Sequence, residues 1–194
     1  MKKKILLLAA HPDDLEFGMG ATISKLKREG HKIKAIVLSD CDILEELQES
    51  MEILKTFVNI YQIKVRTFPS KRQDILDLLI YWKNKFKPDI VYLPCSFDIH
   101  QDHSTVHQEG VRAFKHSILY GYSFYWNNLS EELRHFEIVL KEDMEKKVAA
   151  LACYESQKDR YYFDWDLEWK QAELNGRIIN QQYVERFELI RSIK

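Results

Sequence analysis

The chain has 194 residues, of which 45% are hydrophobic, 12% aromatic and 30% charged, with six glycines and four prolines. This composition is typical of a globular domain and excludes disorder and collagen-like structure. Because 29 basic residues are balanced by 30 acidic ones, giving a formal charge of −1, the domain as a whole has no charge that would attract a nucleic acid or an anionic membrane.

Short apolar runs alternate with longer segments of helical period, which is typical of βαβ units around a parallel sheet. The first run, residues 5–10, is continuously apolar, as expected for a strand that is covered on both faces. In chain order, the sequence predicts strand 5–10, helix 20–29, strand 33–38, helix 43–57, strand 63–68, helix 75–86, strand 89–93 and helix 103–115. Gly30 is expected to follow the first helix, because glycine readily adopts the left-handed conformation found there.

The remainder of the chain predicts additions to this parallel core. By their aromatic, β-branched or helical patterns, the predicted elements are strand 119–126, strand 136–140 and helix 143–154. We assign no element to residues 161–194 but expect Trp165, Trp169 and Tyr183 to pack on the body. Residues 1–194 are predicted to form one domain with a three-layer, Rossmann-like α/β fold, a mostly parallel sheet and extra C-terminal strands.

The start of the chain favours a cytoplasmic protein. Three lysines precede only six apolar residues, 5–10, which are too few for the hydrophobic segment of a signal peptide. The sequence lacks the run of about 18 apolar residues that a membrane span needs. Cys41, Cys95 and Cys153 form no CxxC pair and are expected to be reduced thiols.

Two polar clusters follow the first and fourth predicted strands. The first, AHPDDLEFGMG, contains His11, Asp13 and Asp14, and the second, SFDIHQDH, contains Asp98, His100, Asp102 and His103. Ligands of open parallel sheets bind outside the carboxyl ends of the strands, so the fold is expected to bring the clusters together. An aspartate there is by itself a common helix cap and a single histidine a common surface residue, but two such clusters at one sheet edge favour a functional site.

Imidazole and carboxylate groups together suit zinc or another divalent ion with a similar preference for ligands. A catalytic zinc site keeps three protein ligands and an open position for water. Adjacent side chains point apart, so either Asp13 or Asp14 can bind the ion while the other holds the water. In the same way, either His100 or His103 can complete the metal site while the other faces the substrate.

Other catalytic signatures are missing from the sequence. Gly18 and Gly20 resemble the start of a dinucleotide-binding fingerprint, but Ile23 stands where the third glycine belongs, and nearby acidic residues would repel a pyrophosphate. The sequence contains neither a GxxxxGK[ST] loop nor a GxSxG motif, so it gives no support for a P-loop enzyme or a serine hydrolase.

At these residues the sequence resembles the LmbE-like, or PIG-L, family of zinc-dependent N-acetyl-sugar deacetylases. The segment AHPDDLEFGMGATISKL is similar to the opening HPDD segment of the family, and DIHQDHSTVH is similar to its downstream segment of histidines and aspartate. A weaker similarity continues through Ala149 to Gln157, so the resemblance covers about residues 5–157. It implies a hydrolase that removes the N-acetyl group from an amino sugar or a sugar conjugate.

Carried over by position, the family pattern implies that His11, Asp14 and His103 bind the metal. The ion would be Zn²⁺, with Fe²⁺ and Mn²⁺ as alternatives. The pattern further implies that Asp13 is the general base and that His100 is the second catalytic imidazole. Two other functions fit the same residues: a metal-dependent hydrolase of another amide or ester bond, and a non-catalytic binding module.

The expected partner is a small-molecule N-acetylated sugar. Asp102 would orient one of the histidines. Many relatives carry a substrate-binding arginine after the second strand, whereas this chain reads SDCDILEELQES and has no arginine there before Arg66. Arg66, Arg72 and the aromatic stretch 122–126 are the candidates for contacting the sugar. The chain is short for the family, which predicts that a recognition segment is either trimmed or supplied by another subunit of a homo-oligomer.

Overall fold

The computed structural model describes residues 1–39, 42–130 and 132–192. Within these ranges the strands are β1 (Lys4–Ala9), β2 (Lys32–Ser39), β3 (Val58–Ile63), β4 (Ile90–Pro94), β5 (Ile118–Tyr122), β6 (His135–Val139) and β7 (Tyr183–Arg191). The α-helices are α1 (Asp14–Arg28), α2 (Leu44–Ile53), α3 (Arg72–Phe86), α4 (Gln101–Ala113), α5 (Lys141–Leu151) and α6 (Trp165–Ile178). The seven strands form one sheet in the order β3-β2-β1-β4-β5-β7-β6.

The first five strands are parallel, and the last two are antiparallel additions. β1 pairs in parallel with β2 on one side and with β4 on the other. β7 runs antiparallel to β5, and β6 antiparallel to β7. From β1 the chain moves outward through β2 and β3, and from β4 it moves the other way to β5. The point between β1 and β4 is therefore a topological switch point, where a crevice opens at the carboxyl ends of the strands.

Helices cover both faces of this sheet. Along β1, the side chains of Ile5, Leu7 and Ala9 lie in a core cluster with residues of α1, α2 and α5. Leu6 and Leu8 lie in a second cluster with residues of α3 and α4. Because alternate side chains of a strand point to opposite faces, the continuously apolar sequence of β1 serves both clusters. The prediction of a three-layer α/β fold with a mostly parallel sheet is confirmed.

The third strand was predicted wrongly. It spans Val58–Ile63 and not residues 63–68, and a 3₁₀ helix occupies Phe68–Lys71. Arg66 has a φ of 66°, which interrupts the extended backbone, and Pro69 favours the start of a helical turn. The apolar run that looked like one strand is therefore the end of β3 followed by a turn toward the cavity described below.

The first helix begins earlier than the sequence predicted. α1 starts at Asp14, whereas the prediction began at Gly20, and the helix is kinked at Met19, where φ is −160° and ψ is 23°. Gly30 has a φ of 80°, as expected for the residue after the helix. The early start places an aspartate of the first polar cluster in the first turn of α1.

The tail beyond residue 161 contains a helix and a strand that the sequence analysis left unassigned. α6 packs on β7, and β7 is inserted between β5 and β6. The rings of Trp169 and Tyr183 lie 5.2 Å apart, and Trp165 lies 4.9 Å from Phe163, which packs against the main core. The expectation that these residues pack on the body is confirmed.

The described residues contain no helix long and apolar enough to cross a membrane. Cys95 is buried and Cys153 is half-buried, and both are free thiols as expected. Cys41 lies outside the described residues.

Candidate functional site

The two polar clusters meet at the switch point between β1 and β4. The loop after β1 carries the first cluster, and the loop and first turn of α4 carry the second. They surround the floor of a cavity of about 520 Å³, lined there by His11, Asp13, Asp14, His100 and His103. Residues about 90 positions apart in sequence thus share one site, as the topology predicted.

Three side-chain atoms of this floor face one another. His11 Nδ1 lies 3.1 Å from His103 Nε2, and Asp14 Oδ1 lies 3.4 Å from the same His103 nitrogen. The other carboxylate oxygen of Asp14 lies 3.9 Å from His11 Nδ1 and accepts hydrogen bonds from the backbone N–H groups of Ala10 (3.0 Å) and His11 (2.8 Å). Asp14 is therefore held by the backbone with its second oxygen directed at the histidines.

Each histidine of this group has its remaining ring nitrogen tied to a carboxylate. His11 Nε2 lies 3.1 Å from Asp102 Oδ2, and His103 Nδ1 lies 2.7 Å from Asp98 Oδ2. Both carboxylates are buried. Asp102 is fixed in turn by the backbone N–H groups of Arg66 (2.6 Å) and Phe68 (3.3 Å). Such contacts leave His11 Nδ1 and His103 Nε2 as the nitrogens available to a cation.

The spacing of the donors fits a divalent metal ion. Ligand atoms about 2.0–2.1 Å from a tetrahedral zinc ion lie about 3.3–3.4 Å from one another. This spacing is close to the 3.1 Å between His11 Nδ1 and His103 Nε2 and the 3.4 Å between Asp14 Oδ1 and His103 Nε2. His100 provides an alternative, since one ligand atom each from His11, His100 and His103 lies within 4.8 Å of the others. Imidazole nitrogens with one carboxylate form a donor set that suits zinc and similar ions.

The local field also favours a positive charge. Burial alone would lower the pKa of His103, but the carboxylates of Asp14 and Asp98 raise it to about 10. Burial would raise the pKa of Asp14, but His103 and His11 lower it below its ordinary value. The protein has therefore assembled buried carboxylates that stabilise a cation between them.

Asp13 precedes α1 with an uncommon backbone conformation. Its φ is 73° and its ψ is −21°, in the left-handed region, and its backbone N–H donates to the hydroxyl of Tyr154 at 3.1 Å. Burial, and after it the carboxylates of Asp14 and Glu16, raises the pKa of Asp13 well above its ordinary value. Asp13 thus lies beside the donor group without sharing the backbone contacts that fix Asp14.

His100 lies at the start of α4. Its Nδ1 accepts a hydrogen bond from the backbone N–H of Asp102 at 3.2 Å, which caps the helix and leaves Nε2 uncommitted by that contact. Its ring lies 4.9 Å from that of His11 and 4.6 Å from that of His103. Burial and the two neighbouring histidines lower its pKa. A half-buried imidazole with these neighbours favours the neutral form.

The two candidate arginines lie in different places. Arg66 lines the cavity. Arg72 lies outside the lining, and its guanidinium binds the buried carboxylate of Glu109, with Nε at 2.7 Å and Nη2 at 2.6 Å from Oε1. We therefore retain Arg66 and not Arg72 as a candidate for contact with substrate.

An aromatic wall, formed by Phe124, Trp126 and Tyr162, lines one side of the cavity. The Trp126 ring stacks between Phe124, at 5.1 Å, and Tyr162, at 4.3 Å. Tyr122, from the same aromatic stretch, is buried, and its hydroxyl donates to the Leu8 carbonyl. The stretch therefore divides between core and cavity.

Sequence analysis missed several residues of the site. It placed Asp98 in the second cluster without a role, and Arg160 and Tyr162 lay in segments to which it gave no function. Arg160 Nη1 donates to the Tyr162 hydroxyl at 3.0 Å, and both residues line the cavity. The five-residue spacing of Asp98 and His103 could have indicated that they pair. No local pattern could have indicated that Tyr162 reaches the site, because its stacking on Trp126 is a long-range contact.

Comparison with known proteins gives a family match and similarity to a curated deacetylase. The family model described as PIG-L, GlcNAc-PI de-N-acetylase, matches residues 6–114. The chain is 30% identical over 176 residues to the uncharacterized deacetylase YaiS of Escherichia coli strain K12, a match covering 80% of this chain and 92% of that protein. The family match contains both polar clusters.

Two solved structures illustrate the range of the fold. N,N'-diacetylchitobiose deacetylase from Pyrococcus horikoshii, complexed with its inhibitor MPG, has a TM-score of 0.77 at 21% identity, covering 96% of this chain and 83% of that chain. GalB, the 4-carboxy-2-hydroxymuconate hydratase from Pseudomonas putida KT2440, has a TM-score of 0.82 at 16% identity, covering 100% and 98%. These similarities show the fold alone, and the two proteins are named for different reactions, so the reaction must be argued from the site.

Proposed function

Because the chain belongs to the PIG-L family, we propose that it is a metal-dependent hydrolase that removes the N-acetyl group from an amino sugar or a sugar conjugate. The observation that carries this proposal is the convergence of His11, Asp14 and His103 on one point of the cavity floor, with Asp13 beside them. A purely structural zinc site uses four protein ligands, whereas three ligands with a neighbouring acid are typical of a hydrolytic site.

In this proposal, His11 Nδ1, Asp14 Oδ1 and His103 Nε2 hold the metal. Zinc suits the donors, and Fe²⁺ and Mn²⁺ are alternatives. When bound, the ion supplies a Lewis acid that acidifies water and polarises a carbonyl group. Asp102 and Asp98 orient the two histidines through their second nitrogens.

Asp13 acts as the general base. Its carboxyl group lines the cavity beside the ligands, where it can accept a proton from the attacking water. Burial and neighbouring acids favour its protonated form, and a cation beside it would restore the carboxylate that a base needs. The metal and the base are therefore coupled in this site.

His100 faces the other side of the reacting amide. With Nδ1 engaged by the Asp102 backbone, its Nε2 is the nitrogen that can approach the carbonyl oxygen and stabilise the charge that develops there. The leaving nitrogen needs a proton when the C–N bond breaks. Asp13 can return the proton that it took from water, whereas His100 could donate one only as an imidazolium, which its lowered pKa and its accepting Nδ1 disfavour.

The cavity walls provide contacts for the sugar. Aromatic side chains pack against the apolar faces of sugars, and Trp126, whose two faces are stacked on Phe124 and Tyr162, presents its ring edge to the cavity. Arg66 supplies hydrogen-bond donors on the lining. A cytoplasmic location and assembly into a homo-oligomer stay predictions from the sequence.

The direct test is a panel of N-acetylated sugars, free and lipid- or nucleotide-linked, offered to the zinc-loaded protein with acetate release as the readout. We expect acetate release from at least one sugar and its loss after treatment with a chelator. Restoration by zinc, iron or manganese, added singly, would identify the effective ion. Release of phosphate without acetate from phosphorylated members would contradict the proposal and favour an ester hydrolase. Binding without turnover would favour a binding module.

Asp98 provides a test of the metal site that does not depend on turnover. Asp98→Asn is expected to weaken zinc affinity about 10- to 100-fold, because His103 loses the carboxylate that orients and polarises it. A competition titration against a chromogenic chelator measures the change. The control is Asp89→Asn, since Asp89 accepts from the Lys4 backbone away from the cavity. Equal affinity in all three proteins would contradict the assigned role of Asp98.

A further inference from the structure

We propose that Tyr154 is a positioning residue for Asp13. Its buried hydroxyl joins the backbone of Asp13 to the carboxyl group of Glu16 and thereby fixes the direction in which the Asp13 side chain enters the cavity. This inference rests on the proposed function, in which Asp13 is the general base. Tyr154 itself does not line the cavity and acts only through Asp13.

The conformation of Asp13 requires support from its surroundings. A residue other than glycine with a φ of 73° is uncommon, and such conformations persist where the surrounding structure holds them. The Asp13 carbonyl accepts from the Phe17 N–H at 3.0 Å, which ties one side of the residue to the first turn of α1. Its N–H donates to Tyr154 Oη at 3.1 Å, which ties the other side. Two hydrogen bonds therefore define the orientation of this residue.

The hydroxyl of Tyr154 is suited to this role because its own hydrogen is already committed. It donates to Glu16 Oε1 at 2.7 Å, and Ser50 Oγ donates to the same oxygen. A hydroxyl group has one hydrogen and two lone pairs, so Tyr154 is left as an acceptor for the Asp13 N–H. Tyr154 is 1% exposed and Glu16 is fully buried, which restricts rotation of both groups.

Tyr154 comes from a part of the chain far from the two motifs. It follows α5, 141 residues after Asp13, and lies beyond the region matched by the family model. The next residues are fastened to α2, because the backbone N–H and Oγ of Ser156 donate to the two carboxylate oxygens of Glu46 at 2.9 and 2.6 Å. The C-terminal third of the chain thus contributes to the geometry of the base.

The variant Tyr154→Phe separates positioning from packing, because it keeps the ring and removes only the hydroxyl. We expect kcat for acetate release to fall about 10- to 100-fold, since small displacements of a catalytic group cost about that much. KM is expected to stay within about twofold, and zinc content is expected to equal that of the parent. A loss confined to kcat is what a misdirected base would produce.

A double-mutant cycle distinguishes this role from a structural one. In an Asp13→Asn background, Tyr154→Phe is expected to change the residual kcat by less than about twofold, because the group it positions is already disabled. The matched control is Tyr61→Phe, which removes a hydroxyl that accepts from Trp82 Nε1 at 2.8 Å on a different face of the sheet. This control is expected to retain the parental kcat.

The possible failures can be told apart. If the parent releases acetate and Tyr154→Phe has the parental kcat, the positioning role is overturned and the proposed function stands. An equal loss of kcat in both backgrounds, or a loss of zinc from Tyr154→Phe, overturns it as well. If the zinc-loaded parent releases acetate from no substrate, the proposed function fails and the inference fails with it.

Discussion

Asp13→Asn is expected to lower kcat by about 10²- to 10⁴-fold while the protein keeps its metal. Asparagine preserves the size of the side chain but cannot accept the proton from water. The donors that would hold the metal are atoms of His11, Asp14 and His103, and none of their contacts runs through the Asp13 side chain. The measurements are acetate release under saturating substrate and metal content of the same preparation.

His103→Ala is the informative partner of that variant. It removes a nitrogen that faces both His11 and Asp14. It also removes the imidazole partner of the buried Asp98, which still accepts from the His100 N–H at 2.8 Å. We expect loss of bound zinc together with loss of turnover. Asp77→Asn is a suitable control, because Asp77 is exposed and accepts from Gln73 within α3, away from the cavity.

Metal content therefore distinguishes a general base, the role proposed for Asp13, from a metal ligand, the role proposed for His103. An Asp13→Asn protein with parental turnover would show that another group is the base, and one without metal would show that Asp13 is a ligand. Parental zinc in His103→Ala would instead favour a donor set that omits this histidine.

The pairing of the two motifs could be predicted because it depends only on topology. Strands that read as continuously apolar are covered on both faces, and the carboxyl ends of parallel strands lie at one edge. Those two facts predict that His11 and His103 share one crevice, and in the structure His11 Nδ1 lies 3.1 Å from His103 Nε2. Spacing within each motif could not decide which aspartate faces the histidines, since that depends on the backbone turn at Asp13.

The remaining parts of the site depend on contacts that no local pattern encodes. β7 enters the sheet between β5 and β6, so its place follows from long-range pairing. Tyr154 reaches Asp13 across 141 residues, and Tyr162 reaches Trp126 from the same tail. For Tyr154 and Tyr162 the sequence shows only an aromatic residue in a polar segment. Such a pattern is as typical of core packing as of a functional site. The third strand was misplaced because Arg66 forms a turn inside the predicted run 63–68 and Pro69, directly after that run, lies at the start of a 3₁₀ helix.

Stability is expected to depend strongly on a second buried cluster, formed by Lys147, Glu168 and Glu185. Lys147 Nζ donates to Glu185 Oε1 at 2.8 Å, to Glu168 Oε2 at 2.9 Å and to the Phe17 carbonyl at 2.7 Å, just before the kink of α1. Glu185 also accepts from the Thr22 N–H at 2.7 Å. The side chains of all three cluster residues are 4–7% exposed, so these contacts are largely shielded from solvent.

Lys147→Met is accordingly expected to lower the free energy of unfolding by about 3–5 kcal/mol, since it leaves two buried carboxylates without their cation. Methionine keeps much of the apolar stem, which packs against Gly20, so the loss reports on charge rather than volume. Urea denaturation measures the change.

Adding Glu168→Gln to Lys147→Met should recover part of the lost stability by removing one of the uncompensated charges. Lys170→Met, which breaks an exposed pair with Asp166, should cost far less than Lys147→Met, because solvent screens that pair. An equal loss in the free energy of unfolding for the two lysine variants would show that burial does not increase the contribution of the Lys147 cluster to stability.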